Sequence, residues 1–594
     1  MPRVPLIGGA YQSRSVIASA QRAVNLFPEF YPTDSQAPAP VAHYPRPGLT
    51  QKGGDPPSVG LSRCLYRATN GDGFMVVEND VYFIDSSFGY NLLGTINDGQ
   101  NPVKMFDNGL CVIIVDGTAS NGWVIDLATH AFAKITDPVF LGADWVDYCD
   151  TYFVFNNPGT AQWYISLSNV TFAMLTGVHA RVISGSITGA GTGYVNNTYY
   201  NVPLTGGSGS GAQATVTVSG GAVTDVTITA GGSSYATNDS LSASNTYLGG
   251  AGSGFTFSAT TVAIGFDPLD LVQKSGSADP VVAVRVLNRQ VWILGALTSE
   301  VWYDTGASDF AFGAIPGVFL EHGITAKNSV AKIDNCLLWL SQDREGRGVV
   351  VKTNGYQAER ISTYAIEAEI QKYSVISDAI GFCYQQQGHA FFILTFPTAD
   401  KTWAFEIASG QWHELAYADL NGKLHRHRAS CCAFLYGLNI VGDWQNGRLY
   451  KLDPENFTDN GQPIICIRTF PHLIDDGSRV TYRSFIADIQ VGTFNQPSTA
   501  TGSDFNADFN SDFGPPVTSS ASTLPEVSLR WSDDRGVTYG NAMKQSMGNT
   551  GEYLTSIIWN RLGMARDRVF EVSWSAPVKT ALLGAFIEPM QHRT

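Results

Sequence analysis

Charged side chains are scarce in this sequence, and basic ones are scarcer than acidic ones. Only 15% of the 594 residues are charged, and 37 Lys and Arg stand against 52 Asp and Glu, which gives a net charge of −15. Proteins that hold nucleic acid over a wide surface do so with lysine and arginine on the phosphate backbone. The composition therefore excludes a broad DNA-binding surface and favours repulsion of any DNA that the protein meets.

Long apolar runs and paired cysteine motifs are also missing. No segment approaches the ~20 apolar residues of a membrane-spanning helix. The opening stretch, MPRVPLIGGAYQSRS, contains no apolar run long enough for a signal peptide. Eight cysteines are scattered through apolar stretches without a CxxC pair. We therefore expect buried free thiols in a reducing cytosol and no membrane segment.

A repeated strand pattern occupies most of the chain. Glycine (61 residues), proline (27 residues) and 12% aromatic residues are typical of many short strands joined by tight turns. From about residue 62 to 457, two alternating apolar strands around a short turn recur, as in GFMVVENDVYFID at 73–85. We count seven such units of about 35–50 residues once one insertion is set aside. Sequential antiparallel units of this size predict a β-propeller with six or seven blades.

The insertion covers about residues 180–263 and is rich in Gly, Ser, Thr and Val. It is internally duplicated, because the stretch 189–218 returns as 230–262 with Tyr194 and Tyr235 at matching places. The alternation in ATVTVSGGAVTDVTITAGG predicts a β-hairpin. Low complexity is also typical of a flexible linker. The alternation and the paired tyrosines favour a small folded β module that protrudes from the propeller.

The pattern changes after about residue 460 to longer strands split by a polar loop, and 528–588 is predicted as a compact β unit. One helix is predicted in STYAIEAEIQKY, with Ser362 or Thr363 as N-cap and Ile366, Ile370 and Tyr373 on one face. The fold class is therefore mainly β, a β-propeller with an inserted small β module and a C-terminal β platform or sandwich-like domain. The predicted segments are an N-terminal arm or platform segment (1–60), the first part of the propeller (61–179), the inserted module (180–263), the second part of the propeller (264–460) and the C-terminal domain (461–594).

The stretch SDDRGVTY has the spacing of the Asp box found in sialidases and other β-propeller proteins. Asp534 can accept hydrogen bonds from its own turn, and Gly536 can adopt a positive φ without steric cost. Sialidase chemistry needs an arginine cluster, a Tyr/Glu nucleophile pair and an acid, and the motif occurs once, outside the propeller pattern. We therefore predict a structural turn made by Ser532, Asp534, Gly536 and Thr538, and no catalytic residue.

Two histidines and two cysteines lie close together in HRHRASCC and raise the hypothesis of a zinc site. In an extended strand His425 and His427 share one face, but the adjacent Cys431 and Cys432 point to opposite faces. This spacing argues against zinc.

Calcium is the corresponding hypothesis for DFNADFNSDF, where Asp504, Asp508 and Asp512 are four residues apart. A calcium loop of the EF-hand type needs acidic ligands at every second residue and a glycine at its sixth position. His413 and Glu414 lack the second histidine of an HExxH motif. We therefore predict no metal site and no cofactor.

Several motifs together carry a family resemblance. GGAYQSRSVIASAQRAVNLFPE with PRPGL (45–49), TSEVWYDTG, GVFLEHG, NGYQAERISTYAIE and LRWSDDRGVTYGN occur in this order along nearly the whole chain. In these stretches the sequence resembles the packaged-DNA stabilisation proteins of short-tailed bacteriophages, also called tail hub or nozzle proteins. The insertion and the acidic loop near 504–513 are not covered.

The resemblance implies a structural virion protein of the tail, assembled in the bacterial host cytoplasm, with no catalytic residues. It implies a homo-hexameric ring under the portal-adaptor (head-to-tail connector) proteins, which closes the channel, retains the packaged genome and guides its ejection. Tail fibres or tailspikes and a tail needle or plug are further implied partners. The acidic composition agrees with double-stranded DNA that passes through the channel without specific binding.

Assembly surfaces are predicted outside the propeller pattern. Arginine suits bidentate pairing across an interface, and the C-terminal unit carries a local arginine cluster. The interface candidates are Arg22, Asn25, Phe27, Trp559, Arg561, Arg566 and Arg568.

Two alternative functions remain at this stage. A carbohydrate-binding or glycan-degrading propeller, of the tailspike or sialidase type, fits the Asp box and the aromatic content but lacks a carboxylate pair at an identifiable spacing. A receptor-binding tail component, with the insertion as its binding part, is the other. Oligomeric size distinguishes a nozzle from a propeller enzyme. A nozzle forms hexamers or binds an adaptor ring, whereas a propeller enzyme is an active monomer.

Overall fold

Seven blades of four antiparallel strands form a β-propeller in the computed structural model, and the propeller precedes a β-sandwich along the chain. The mainly β prediction is confirmed, and the number of blades is seven. The structure describes residues 4–8, 11–31, 41–177, 180–262, 264–307, 309–343, 345–491, 525–548 and 556–591.

The strands of each blade are given from the centre of the propeller outwards. Blade 1 contains Ser62–Arg67, Gly73–Val77, Asp80–Ile84 and Tyr90–Thr95; blade 2 contains Lys104–Asp107, Cys111–Val115, Trp123–Asp126 and Phe132–Lys134; blade 3 contains Val146–Cys149, Tyr152–Asn156, Gln162–Ile165 and Leu271–Gln273; blade 4 contains Val281–Leu287, Gln290–Gly295, Ser299–Asp304 and Phe312–Leu320. Blade 5 contains Ala331–Ile333, Cys336–Gln342, Gly348–Asn354 and Gln357–Arg360; blade 6 contains Ile380–Gln386, His389–Phe396, Lys401–Glu406 and Gln411–Ala418; blade 7 contains Ala429–Leu435, Leu438–Asp443, Leu449–Asp453 and Gly48–Lys52.

Stacking of neighbouring blades explains the continuous apolar runs in the sequence. A strand inside the stack is covered on both faces, so it carries apolar side chains at successive positions rather than at every second one. Cys111–Val115, the second strand of blade 2, is buried at all five positions. The propeller core therefore lies between the blades, in a ring around the central axis.

The N-terminal part of the chain closes the propeller. Gly48–Lys52 is the outermost strand of blade 7 and runs antiparallel to Leu449–Asp453, with Leu49 opposite Leu452. Gly48 has no room for a side chain, because a Cβ atom there would collide with the backbone oxygens of Asn456 and Thr458. The first and last parts of the propeller are thus held in one sheet.

Two sheets form the C-terminal sandwich, and both include N-terminal strands. Its core contains Phe485, Trp559, Phe570 and Leu582. One sheet contains Val4–Pro5, Leu26–Phe30, Val41–Pro45, Val480–Val491, Ile557–Asn560, Met564–Ala565 and Thr580–Gln591. The other contains Ala23–Val24, Cys466–Thr469, Leu473–Ile474, Glu526–Ser532, Met543–Ser546 and Asp567–Trp574.

A short N-terminal strand, Ala23–Val24, joins the sandwich to the propeller. It pairs in parallel with the outer strand of blade 6, where Val24 lies opposite Glu414. On its other side it pairs antiparallel with Cys466–Thr469 of the sandwich. Blade 6 and one sandwich layer therefore belong to a single eleven-stranded sheet.

The insertion folds around a core of its own between the third and fourth strands of blade 3. Tyr194 and Tyr235 are buried in that core, and each hydroxyl accepts a backbone N–H, from Phe255 at 3.1 Å and from Ala212 at 3.4 Å. The repeated sequence thus makes the same contact twice. The strands are Arg181–Thr192, Asn197–Gly206, Ser210–Ser219, Ala222–Ser233, Ser240–Ala243 and Ser253–Val262.

Helices and remaining short strands are few in the described ranges. The α-helix Tyr364–Ile370 starts from Thr363, whose side chain accepts the Ile366 N–H, so the prediction of this helix and of its N-cap is confirmed. No helix among the described residues is long and apolar enough to cross a membrane. All eight cysteines are free. The other elements are the α-helix Phe172–Thr176, the 3-10 helices Asn245–Leu248 and Lys327–Ser329, and the strands Leu424–Arg426, Thr458–Asp459 and Gln462–Pro463.

Candidate functional site

Arg22 fastens the N-terminal segment to blade 6. Its guanidinium lies 2.7 Å from the Glu414 carboxylate, which also accepts a hydrogen bond from Lys401 at 2.7 Å. Burial raises the pKa of the Glu414 carboxyl, but the two cations more than offset this, so that the pKa lies below its ordinary value. The Arg22 side chain is still 31% exposed, so part of it is available to another molecule.

Asn25 lies at the centre of a buried hydrogen-bond network. It is fully buried, with a positive φ of 57°, and its amide donates to the Ile465 carbonyl at 2.8 Å. Its side-chain oxygen accepts from the Ala416 N–H at 2.8 Å and from Arg46 at 2.9 Å. Arg46 is itself paired with the buried Asp459. The network thus connects the N-terminal segment, blade 6 and the start of the sandwich.

The role of Arg46 was not predicted from the sequence, although its motif PRPGL was among those that carry the resemblance. Its guanidinium donates to both carboxylate oxygens of Asp459, at 2.9 and 2.5 Å, and to the Ala416 carbonyl at 3.0 Å. An arginine between two prolines, next to the Gly48 strand, was the available signal. Its partner Asp459 is 413 residues away in the chain and has no recognisable motif.

Phe27 lies at the junction of the propeller and the sandwich. Its ring packs against His389 and Phe391 of blade 6, with ring centroids 5.1 Å and 5.4 Å apart respectively. It borders a cavity of about 320 Å³ that also touches Tyr44, Phe457 and Ala581. Phe27 therefore contributes to the contact between the two domains of the same chain.

The predicted C-terminal candidates divide into buried and exposed residues. Trp559 is fully buried and donates its indole N–H to the Met543 carbonyl at 3.0 Å. Arg568 is 2% exposed, whereas Arg561 and Arg566 are exposed on the sandwich surface. Of the predicted interface residues, Arg22 is partly exposed and Arg561 and Arg566 are exposed, whereas Asn25, Phe27, Trp559 and Arg568 are buried.

Arg568 anchors the Asp-box hairpin to the sandwich. It donates to both carboxylate oxygens of Asp533, at 2.5 and 2.7 Å, and to the Leu562 carbonyl. Its guanidinium carbon lies 4.9 Å from the Tyr482 ring and 5.1 Å from the Trp531 ring. Bidentate pairing and aromatic stacking are the contacts that a planar guanidinium makes best.

The Asp-box residues make one tightly bonded turn. Asp534 accepts a hydrogen bond from the Ser532 hydroxyl at 2.5 Å and from the Thr538 N–H and hydroxyl at 2.8 and 2.6 Å. The Ser532 hydroxyl oxygen accepts the Gly536 N–H at 2.7 Å, and Gly536 has a φ of 87°. The hydrogen bonds from Ser532 and Thr538 lower the pKa of the Asp534 carboxyl to about 2. Both carboxylate oxygens are thus occupied within the turn.

The histidines of the zinc hypothesis have other partners in the structure. His425 bonds to Asp400 at 2.7 Å, and the buried His427 accepts the Ala429 N–H at 3.2 Å. Among the described residues, no three His, Cys, Asp or Glu side chains are grouped to hold a metal ion. The residues Asp504, Asp508 and Asp512 lie outside the described ranges.

A propeller and a sandwich tied together by one N-terminal segment define a large β-structural protein. The family model described as "Bacteriophage P22 Gp10, beta-propeller" matches residues 210–456 of the chain. A second model, described as "Bacteriophage P22 Gp10, beta-sandwich", matches residues 471–589. Together the two matches span more than half of the chain. The chain belongs to this family of phage tail nozzle proteins, so it is a structural component of the virion tail.

The solved structures that are similar to this chain have low sequence identity and low TM-scores. The Pan2 WD40 domain of Neurospora crassa is 7% identical, with a TM-score of 0.32, over 68% of this chain and 95% of that one. BamB from Moraxella catarrhalis is 7% identical, with a TM-score of 0.33, over 72% and 97%. The extracellular domain of BT4673 from B. thetaiotaomicron is 10% identical, with a TM-score of 0.34, over 92% and 62%. The comparison with curated proteins gives no match.

Proposed function

We propose that the chain forms a homo-hexameric nozzle beneath the portal-adaptor proteins, closes the tail channel, retains the packaged DNA and guides its ejection. The family membership supports a tail nozzle, and the six-fold ring is what the family resemblance implies. Tail fibres or tailspikes and a needle or plug are the further partners in this proposal. Assembly takes place in the host cytoplasm.

The continuity between propeller and sandwich carries the proposal. The eleven-stranded sheet crosses from blade 6 into the sandwich, and the buried pair of Arg46 and Asp459 supports the junction. A subunit that closes a channel against packaged DNA has to resist displacement of one domain against the other. A shared sheet with a packed, hydrogen-bonded junction provides that resistance, since separating the domains would break strand pairs and expose buried polar groups.

The charge of the chain supports a channel that does not hold DNA tightly. With a net charge of −15, the protein has few cations to offer to phosphates. We propose a channel wall of mainly acidic and neutral side chains, along which DNA slides. Salt-sensitive, tight DNA binding by the purified protein would contradict this part of the proposal.

The exposed arginines of the sandwich are the proposed contacts between subunits or with the adaptor. Arg561 and Arg566 are exposed, close in sequence and free to pair with carboxylates of another chain. Arg566→Glu should therefore impair ring formation or docking to the tail while the monomer still folds. Arg67→Glu is the matched control, because Arg67 is an exposed arginine on the propeller.

The experiment combines light scattering on each purified variant with particle imaging in the presence of the adaptor proteins. We expect hexamers or adaptor-bound rings for the wild type and the control variant, and monomers for Arg566→Glu. A wild-type chain that stays monomeric with and without the adaptor would overturn the hexamer. A ring of Arg566→Glu indistinguishable from the wild type would overturn the assigned surface.

A further inference from the structure

The central cavity of the propeller concentrates positive charge in an acidic protein. It has a volume of about 260 Å³ and is bordered by the innermost strands or the residues next to them in all seven blades. Lys104 of blade 2, Arg285 of blade 4 and Lys332 of blade 5 border this cavity. Trp145, which precedes the inner strand of blade 3, forms part of its wall.

Lys104 has no anionic partner in the described part of the chain. Its ammonium nitrogen lies 4.1 Å from the centroid of the Trp145 ring, and the Arg285 guanidinium carbon lies 5.2 Å from a ring of the same side chain. Burial lowers the pKa of Lys104 to about 8, and the positive charge of Arg285 contributes to the shift. Among the described residues, the aromatic face of Trp145 is therefore the group that stabilises this cation.

Neighbouring groups do not neutralise the cavity. The Asp147 carboxylate lies 3.2 Å from Arg285 and also accepts the Val286 N–H at 2.9 Å, while the Nε atom of Arg285 is buried without a partner among the described residues. Lys332 donates to the Val286 carbonyl at 3.1 Å. Among the described residues, the salt bridge between Asp147 and Arg285 thus leaves Lys104 and Lys332 without a carboxylate at salt-bridge distance.

The cysteine thiols at the cavity do not provide the missing negative charge. Burial raises the pKa of Cys64 to about 12 and that of Cys431 to about 11. Both thiols are therefore protonated and neutral at physiological pH. Arg63 also borders the cavity, but it donates to the backbone carbonyls of Asn101, Asn97 and Glu78.

We propose that the central cavity of the propeller binds a small oxyanion of the phosphate or sulfate type, held by Lys104, Arg285 and Lys332. Such an anion supplies acceptor oxygens to the Lys104 ammonium group and to the buried Nε of Arg285, and it adds a charged acceptor to Lys332. A cavity of about 260 Å³ has room for one small anion and excludes a nucleic-acid duplex. The bound anion would link blades 2, 4 and 5 across the axis and stabilise the ring.

Thermal unfolding of the full chain tests this site with sodium phosphate as the probe, against sodium chloride at equal ionic strength and pH 7. We expect a saturable rise in Tm with phosphate, because a ligand that binds only the folded state stabilises it. Sulfate should act in the same way, and acetate should act more weakly. A phosphate effect no larger than that of chloride would overturn the proposal.

Lys104→Met is the decisive variant, because removing the Lys104 ammonium group leaves no carboxylate unpaired. In chloride it should unfold at or above the wild-type Tm, and its Kd for phosphate, measured by titration calorimetry, should be at least about tenfold weaker. Lys423→Met, at an exposed turn, is the control and should bind like the wild type. Wild-type affinity in Lys104→Met would refute the assigned residues.

Should Lys104→Met fail to fold, Lys332→Met gives the same test from blade 5. The Lys332 side chain is more exposed than that of Lys104, so the folded protein should tolerate this substitution. The same loss of phosphate affinity is expected, and an unchanged Kd would count against the site. Quenching or enhancement of Trp145 fluorescence by phosphate in the wild type, absent in Trp145→Phe, is the independent measurement.

Discussion

Arg566 and Arg568 lie two positions apart in the sequence, and the fold gives them different environments. Arg568 is buried among Tyr482, Trp531 and Phe570, with its charge paired to Asp533, whereas Arg566 is exposed. Such a difference separates a side chain that stabilises the sandwich from one that is available to a partner.

Arg568→Met should lower the free energy of unfolding by about 1.5–3 kcal/mol, the range for hydrogen bonds to charged groups. The Asp533 carboxylate is 48% exposed and can regain water, which keeps the loss below that of a fully buried pair. Urea unfolding of the purified chain measures the change. Arg566→Met is the matched control and should stay within about 0.5 kcal/mol of the wild type. Equal losses in the two variants would contradict the structural role of Arg568.

Asp534→Ala should loosen the Asp-box turn and leave the rest of the protein folded. The hydrogen bonds from Ser532 and from the Thr538 N–H and hydroxyl would be lost. Hydrogen exchange should become faster at the Thr538 amide, and Asp98→Ala, in an exposed loop, should leave it unchanged. Turnover of a sialoside or capsular glycan that disappears in Asp534→Ala would instead reveal a catalytic role.

The stability of the same turn should decrease in acid, because the pKa of Asp534 is lowered in the folded protein. The folded pKa of about 2 lies below the unfolded value of about 3.9, so the stabilisation is complete above the unfolded pKa. It is lost as the pH falls through about 2. Exchange at the Thr538 amide, corrected for the intrinsic pH dependence, should therefore show the protection decline between about pH 4 and 2.

At the scale of elements, the inserted module has the features of an independent folding unit. Its six strands enclose their own core, which includes Val216, Leu241 and Phe257. It enters and leaves blade 3 between the third and fourth strands, so that its removal breaks no other blade. Tyr200 and Tyr247 are exposed on it, 75% and 52% respectively.

Replacing residues 180–263 by a short Gly-Ser linker should leave a soluble propeller. Gly265 and Phe266 should be kept, because their N–H groups donate to the Asp137 carboxylate at 2.8 and 3.1 Å and position the return to blade 3. The isolated segment 180–263 should also fold. Circular dichroism and gel filtration check both products, and an insoluble deletion variant would show that the segment supports a blade.

At the scale of the whole molecule, the N-terminal segment holds three parts together. It closes blade 7 with Gly48–Lys52, bridges blade 6 to the sandwich with Ala23–Val24, and adds Leu26–Phe30 and Val41–Pro45 to the other sandwich layer. We predicted an arm or platform segment at 1–60. Its described strands are integral to both domains of the same chain.

Removing residues 1–52 should therefore prevent folding of the whole chain, since it opens the propeller ring and takes strands from both sandwich layers. Removing residues 1–19 is the control, because it keeps these four strands and, of the described strands, removes Val4–Pro5. Soluble expression and thermal unfolding compare the two. A cooperative transition in the longer truncation would refute the closing role of the segment.

The sequence by itself determined the local and periodic features of this protein. Alternating strands in repeated units predicted the propeller, the duplication with Tyr194 and Tyr235 predicted the module, and Thr363 marked the start of a helix. These features depend on near neighbours along the chain, where strand alternation, turn residues and caps act directly.

The tertiary structure alone decided the blade number and which polar residues are buried. Six and seven blades have the same local strand pattern, and the seventh is completed by Gly48–Lys52 pairing with Leu449–Asp453 across the length of the propeller. The partner of Arg46, the burial of Arg568 and the cationic centre of the propeller likewise arise from distant segments. Such pairings depend on closure of the whole ring, because each strand pattern is compatible with many neighbours until the other blades have taken their places.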